Sequence, residues 1–188
     1  MKKFELTTEF ITNFLGTKLF RIKALVEFGK VEKGELGGFV EKEENLDHDG
    51  DAWVYGDARV YGDARVYGDA EVYGDAEVYG DAEVYGDARV YGDAWVYGNA
   101  WVSGNAWVYG DQMYATVKGF GSEYRNTTFF ITKDGNVCVN CGCFSGTLEQ
   151  FREKVEETHK DTKYAKEYLM IADLMEMHFK EELEKIKK

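Results

Sequence analysis

The sequence contains no proline, three cysteines and three histidines in 188 residues. No apolar run approaches the roughly 20 residues that a membrane-spanning helix needs. The opening MKKFELTTEF lacks the apolar core of a signal peptide. The cysteines are odd in number and sit in one short cluster. That is not a disulfide framework, and a reducing cytoplasm is expected. No phosphate loop, dinucleotide fingerprint or basic stripe is present, so the signatures of nucleotide hydrolases and of nucleic-acid surfaces are missing. Positive charge is the scarcer sign: 23 Lys and Arg face 35 Asp and Glu, a net charge of −12. Between Asp51 and Asp111, nine Asp, three Glu and three Arg hold −9 of it. An acidic body disfavours phosphate backbones and anionic lipid, so neither direct nucleic-acid binding nor membrane association is expected.

What the chain does have is repetition. From Val54 to Trp107 the phrase V-Y-G-[DN]-A-x recurs in nine consecutive units, with Ser103 the one break at the Tyr position. A fixed six-residue period indicates a β-helical solenoid. Within each unit Ala-x-Val-Tyr alternates as a strand, with Ala and Val on one face. Gly-Asp supplies a corner, because Gly accepts positive φ and Asp bonds nearby backbone. Three sides close one turn of about 18 residues, with neighbouring turns about 4.8 Å apart.

That geometry assigns the variable sixth letter. Residues one turn apart give the columns Trp53-Glu71-Arg89-Trp107, Arg59-Glu77-Trp95 and Arg65-Glu83-Trp101. Each Glu falls beside an Arg: Arg59 with Glu77, Arg65 with Glu83, Glu71 with Arg89. The letter faces outward and alternates charge to suit the coil above. Aspartates make like-charged columns instead: Asp57-Asp75-Asp93, Asp63-Asp81 and Asp69-Asp87. Each carboxylate is expected to accept backbone N–H groups at its corner; the sharper alternative is a weak cation ladder, for instance Ca²⁺. Trp95, Trp101 and Trp107 are successive outward letters on three faces of one coil, with Trp53 at the opposite end. Outward indoles on a soluble body call for a partner, either another part of the protein, another subunit or an external ligand.

The flanks differ from the coils. Residues 1–45 read as a β-rich cap, with KLFRIKAL (Lys18–Leu25) strand-like and ELGGFV (Glu35–Val40) leading into the coils. Residues 46–113 are the β-helix and 114–188 an α+β domain. There, TTFFITKDGNVCVNCGCF forms a hairpin around Asp134-Gly135. Thr147-Leu-Glu-Gln150 is a capping box opening a first helix. A second helix starts near Lys163 and buries Tyr164, Tyr168, Ile171, Met175 and Phe179; the charged EELEKIKK end is expected to be a solvated tail.

The coils resemble the left-handed β-helix of the hexapeptide-repeat family, with Val54, Val60 and Val66 at its aliphatic position and Ala58, Ala64 and Ala70 at its small one. The whole chain resembles uncharacterised phage and prophage proteins through RIKAL…GELGGFV, the coils, and a TFF-TKDG…CGCFSGTLEQF tail. The fold class implied is mainly β: a left-handed parallel β-helix with a β-rich N-terminal cap and a small C-terminal α+β domain. The hexapeptide family also implies a trimer and acyl transfer from acyl-CoA with a catalytic His. The phage resemblance implies dealings with a bacterial host.

The residues themselves argue against catalysis. The coils carry no His; only His48 lies near them, and an array of identical Asp selects no general base. Cys138, Cys141, Cys143 and His159 invite zinc, but C-x2-C-x-C is poor spacing and alternation splits the thiols between faces. Cys143, near a helix N-terminus and paired with His159, is a candidate nucleophile; small half-buried hydrophobes are the ordinary alternative. Flat Thr rows for ice are absent, while charges repeating near 5 Å along each corner suit mimicry of DNA. The expectation is therefore a non-enzymatic binding protein without cofactor or metal, phage-encoded and cytoplasmic in the host. Its partner is a host defence protein, such as a CRISPR-type nuclease, or a nucleotide signal. It assembles as a homo-oligomer, a dimer or trimer. Binding is assigned to the Trp girdle (Trp53, Trp95, Trp101, Trp107), the acidic columns (Asp57, Asp63, Asp69, Asp75, Asp81, Asp87, Asp93) and, in the tail, Arg125, Lys133 and His159. The alternatives are an acyltransferase and a virion-associated spacer.

Overall fold

A computed structural model describes residues 1–186. The last two residues of the EELEKIKK end lie outside the described residues. The chain forms two compact units, Met1–Asn105 with Tyr109–Asp111, and Ala106–Val108 with Gln112 onward.

The first unit opens with an antiparallel pair, β1 (Phe4–Thr12) and β2 (Lys18–Ala24), joined by β3 (Leu36–Val40). Nine two-residue strands follow, β4 to β12, from Trp53–Val54 to Trp101–Val102. They sort into three parallel sheets, β3-β5-β8-β11, β4-β7-β10 and β6-β9-β12, which the chain visits in turn. Partners such as Arg59 and Glu77 are 18 residues apart, so the solenoid has three sides and the expected turn length. The paired stretch is shorter than the Ala-x-Val-Tyr read from sequence. Only x-Val pairs as strand, while the neighbouring backbone keeps the ladder going, as in Tyr61 N–H to Val78 O at 3.0 Å.

Patterning explains the core. Every repeat Ala and Val from Ala52 to Val102 is fully buried. Each buried Val contributes about 1.5–3 kcal/mol of transfer free energy, and Ala keeps the prism narrow. At the corners Gly68 has φ +71°, and a Cβ there would lie 3.0 Å from the N of Gly86 on the next coil. Only a residue at ease with positive φ fits.

The first coil starts ahead of the phrase. Phe39–Val40, Leu46 and Trp53–Val54 form its three sides, pairing onward with Arg59–Val60, Val66 and Glu71–Val72. Gly37 and Gly38 are needed there, since Cβ atoms would meet the carbonyls of Val54 and Ala58 at 2.5 Å. An open solenoid end leaves backbone carbonyls unpaired. Three side chains satisfy them, one at each corner. Arg21 Nη1 donates to Gly37 O and Gly56 O at 2.9 and 3.2 Å. Asn45 Nδ2 donates to Gly62 O and Ala64 O at 3.1 and 2.8 Å. Lys3 Nζ donates to Gly50 O and Ala52 O at 3.1 and 3.0 Å. Burial lowers the Lys3 ammonium's pKa, while Asp47, Asp51, Asp49 and Asp69 pull it back up.

In the second unit, β13 (Trp107–Val108) precedes an antiparallel meander of β14 (Tyr114–Val117), β15 (Thr127–Ile131), β16 (Val137–Cys141) and β17 (Phe144–Thr147). The turn between β15 and β16 holds Asp134-Gly135, with Gly135 at φ +71°. The capping box forms as read: Thr147 Oγ1 accepts from Gln150 N at 3.2 Å, and Gln150 Oε1 accepts from Thr147 N at 2.9 Å. It starts α1 (Leu148–His159), which is followed by α2 (Lys163–Ile186). Leu148, Phe151 and Val155 of α1, and Tyr168, Ile171, Met175 and Phe179 of α2, are buried, whereas Tyr164 is only half-buried. Among the described residues no helix is long and apolar enough to cross a membrane.

Candidate functional site

The acidic columns are surface features. All seven of Asp57, Asp63, Asp69, Asp75, Asp81, Asp87 and Asp93 are exposed. The expectation that each carboxylate caps its corner is not the arrangement found. Corner amides already donate to the Gly carbonyl of the next coil, as in Asp69 to Gly86 and Asp81 to Gly98. The carboxylates turn outward instead. Asp69 does accept a backbone N–H, from Asp51 at 3.1 Å; Asp63 pairs with Lys42 at 2.7 Å and Asp57 with Arg21 at 3.6 Å. Among the described residues no group of three His, Cys, Asp or Glu is placed to hold a metal ion.

The charge columns read from sequence are in register. Arg59 Nη1 meets Glu77 Oε1 at 2.7 Å, and Arg89 Nε meets Glu71 Oε2 at 3.1 Å. Arg65 and Glu83 are paired in the ladder, but Glu83 Oε2 accepts from the Tyr67 hydroxyl at 2.6 Å while Arg65 lies over the Tyr67 ring. Tyr67's neighbour role exposes a feature that sequence reading missed. Tyr61, Tyr79 and Tyr97 stack face to face with centroids 5.0 and 5.3 Å apart, as do Tyr67 with Tyr85 and Tyr73 with Tyr91 at 4.9 Å. The coil spacing equals a ring-stacking distance, so a Tyr at every sixth position makes an aromatic column on each of the three sides. Burial drives the phenols of Tyr55 and Tyr91 up to about 12. For Tyr61 and Tyr67, burial comes first and hydrogen bonds to Glu77 and Glu83 add to the rise.

The tryptophans separate. Trp95 and Trp101 are 46% and 38% exposed, on different sheets. Trp107 belongs to the second unit and is half-buried. Trp53 is a correction: it is fully buried, edge-on to Phe4 and Phe28 at 6.1 and 5.3 Å. The cap covers that side of the first coil, so Trp53 is core and is not available to a partner.

A concave site lies in the second unit. A pocket of about 340 Å³ brings together Arg125, His159 and the thiol-bearing turn Cys141-Gly-Cys143. Its aromatic walls are Phe144, Phe151 and Tyr168, with Phe151 5.5 Å from each of the other two. His159 lies 5.7 Å from Tyr168, tilted by 35°. Arg125 rests against the turn: a Cβ on Gly142 would lie 2.3 Å from its Nη1. Lys154 completes the cationic side. Exposed carboxylates balance both cations, Glu123 at 3.9 Å from Arg125 and Glu157 at 2.7 Å from Lys154. Such exposed pairs are worth under about 1 kcal/mol, so an anionic ligand can displace them. Burial, then Cys141, raises the Tyr168 phenol and keeps it neutral; its hydroxyl donates to Phe120 O at 3.4 Å. Burial also raises the Cys138 thiol.

Sequence reading placed Arg125, Lys133 and His159 in one tail site. Two of the three line the pocket. Lys133 sits in the β15–β16 turn, whereas the pocket is at the other end of that hairpin, where Thr127 pairs with Cys141. Cys143 and His159 share the pocket, yet among the described residues no hydrogen bond joins them. His48, the candidate acyl-transfer base, serves the cap: its Nδ1 accepts the Lys3 N–H at 3.2 Å and its ring lies 4.5 Å from Phe4.

Four windows match the YdcK beta solenoid repeat. They are residues 52–68, 58–74, 82–98 and 96–110, all within the coil region. The YdcK repeat therefore describes the stack of coils and leaves out the cap and the pocket. No curated protein matches the chain.

Proposed function

We propose that this is a non-enzymatic binding protein whose C-terminal pocket sequesters a small anionic ligand carrying a flat ring, a nucleotide signal, on behalf of a phage facing host defence. The carrying observation is the pocket, in which aromatic walls from Phe144, Phe151 and Tyr168 stand beside Arg125, Lys154 and His159. Ring stacking and charge neutralisation are what a nucleotide asks of a protein. The volume lies at the small end of the range for ligand pockets, which suits a mononucleotide. The pocket takes α1 from Phe151 onward, without the first three residues of the helix, whose N–H groups favour an anion, so side-chain cations carry the anion. The resemblance to phage proteins supports the biological setting. The acidic columns support a different target, a nuclease, less well, because they offer a long uniform surface with no focal contact.

The test is phage survival in bacteria whose defence runs on a nucleotide messenger. Wild-type protein should restore plaques, and Arg125→Glu with Lys154→Glu should fail to do so while accumulating normally. Unchanged survival with wild-type protein across a panel of such defences would refute the proposal.

A further inference from the structure

Helix α2 buries one face and exposes the other. Opposite its buried stripe lie Met170, Leu174 and Met177, which are 71%, 49% and 67% exposed. Their spacing of four and three residues makes a continuous apolar strip. On the same face, Lys163 and Lys166 stand at the N-terminal end and Glu181 and Glu184 at the C-terminal end, all exposed. Among the described residues none of these four is in an ion pair. Their order opposes the helix dipole, which favours acids at the N-terminus and bases at the C-terminus. Helix α1 obeys that preference, with Glu149 in its first turn and His159 in its last, whereas α2 has no acid in its first turn and the base of its last turn, Lys185, is paired with Glu182. A local rule broken along one exposed face calls for a compensating contact.

We infer that two copies of this chain pair through α2, antiparallel, about a two-fold axis near Asp173 and Leu174. At 1.5 Å per residue, Met170 and Met177 lie equally far on either side of that axis. Lys166 and Glu181 are each roughly 11 Å from it, and Lys163 and Glu184 each roughly 16 Å. The antiparallel copy therefore sets both lysines against both glutamates at each end, with methionine against methionine inside them. A parallel copy would set lysine on lysine and glutamate on glutamate. The opposed dipole of the partner helix also compensates the order of charges that a lone α2 disfavours. Asp173, the charge nearest the axis, is already held by Arg152, which also binds Glu176 at 2.7 Å. The contact is isologous, so it closes at two copies. One helix face falls at the low end of interface sizes, so the dimer should dissociate on dilution. This inference stands apart from the pocket and does not depend on what the pocket binds.

Sedimentation of the full-length protein over a range of concentrations tests it. The wild type should show a monomer–dimer equilibrium. Lys163→Glu with Lys166→Glu should weaken it at least tenfold, without loss of helical circular dichroism, because acids at the N-terminus suit the dipole. Adding Glu181→Lys and Glu184→Lys to that variant should restore the dimer. A wild type that is monomeric or trimeric at all concentrations would overturn the inference. So would a double variant that still dimerises, or a fourfold variant that stays monomeric.

Discussion

The solenoid and the C-terminal unit solve the same problem, burial of an apolar core, with opposite economies of information. The solenoid repeats one local solution: Ala and Val inward, Gly-Asp at the corner, Tyr stacked on Tyr one coil away. Its stability is close to a sum of like coils, whose buried Ala and Val do not change from one coil to the next. The C-terminal unit uses each residue once. Arg125 from a loop, Cys143 from a turn, Phe151 from α1 and Tyr168 from α2 meet in one pocket. Repetition builds a rigid body, and the one-off packing builds a site.

Breaking the solenoid core should have the largest effect. Val78→Asp buries a charge without a partner, which costs about 4–5 kcal/mol or more; a cooperative melt should fall by many degrees or be lost. Next is Gly37→Ala, whose Cβ would meet Val54 O at 2.5 Å. We expect about 1–3 kcal/mol in denaturant unfolding, the range for forcing an extra carbon into a packed interior. Arg59→Ala strips the nearly buried Glu77 of its cation and leaves it the Tyr61 hydroxyl at 2.8 Å. This should cost about 1–3 kcal/mol, whereas Arg65→Ala, in the column where Tyr67 serves Glu83, should cost less than half as much. Two half-buried phenols give a pH dependence. Burial pushes the Tyr55 and Tyr91 phenols up to about 12 in the folded protein, from an ordinary value of 10.0. The unfolded chain therefore releases these protons first. Stability should hold up to about pH 10 and fall between there and about pH 12, and Tyr91→Phe should flatten that fall. The smallest effect is on the exposed aspartates, where a chelator should leave the melting temperature unmoved.

Those contrasts also explain what could be read in advance. The period set the three-sided coil, and with it the partners Arg59–Glu77 and Glu71–Arg89, because a solenoid turns sequence distance into spatial contact. The Asp134-Gly135 turn and the Thr147–Gln150 capping box were legible because they are local. Trp53 misled: it shares the outward letter with Trp95, and only the return of Phe4 and Phe28 from the cap buries it. Tyrosine stacking was implicit in the coil spacing but needs the ring orientation at the corner. Lys3, Asn45 and Arg21 carry no motif, since their role is set by whichever carbonyls the first coil leaves open. The pocket was half-visible, through Arg125 and His159, and Lys133 was grouped with them because nearness in sequence says nothing about which end of a hairpin a residue occupies.

The central claim, a nucleotide-sequestering pocket, is tested most directly by native mass spectrometry of the full-length protein mixed with a panel of cyclic nucleotides. The account predicts one nucleotide retained per chain, and its loss in Arg125→Glu. A wild-type spectrum that stays ligand-free across the panel would contradict it.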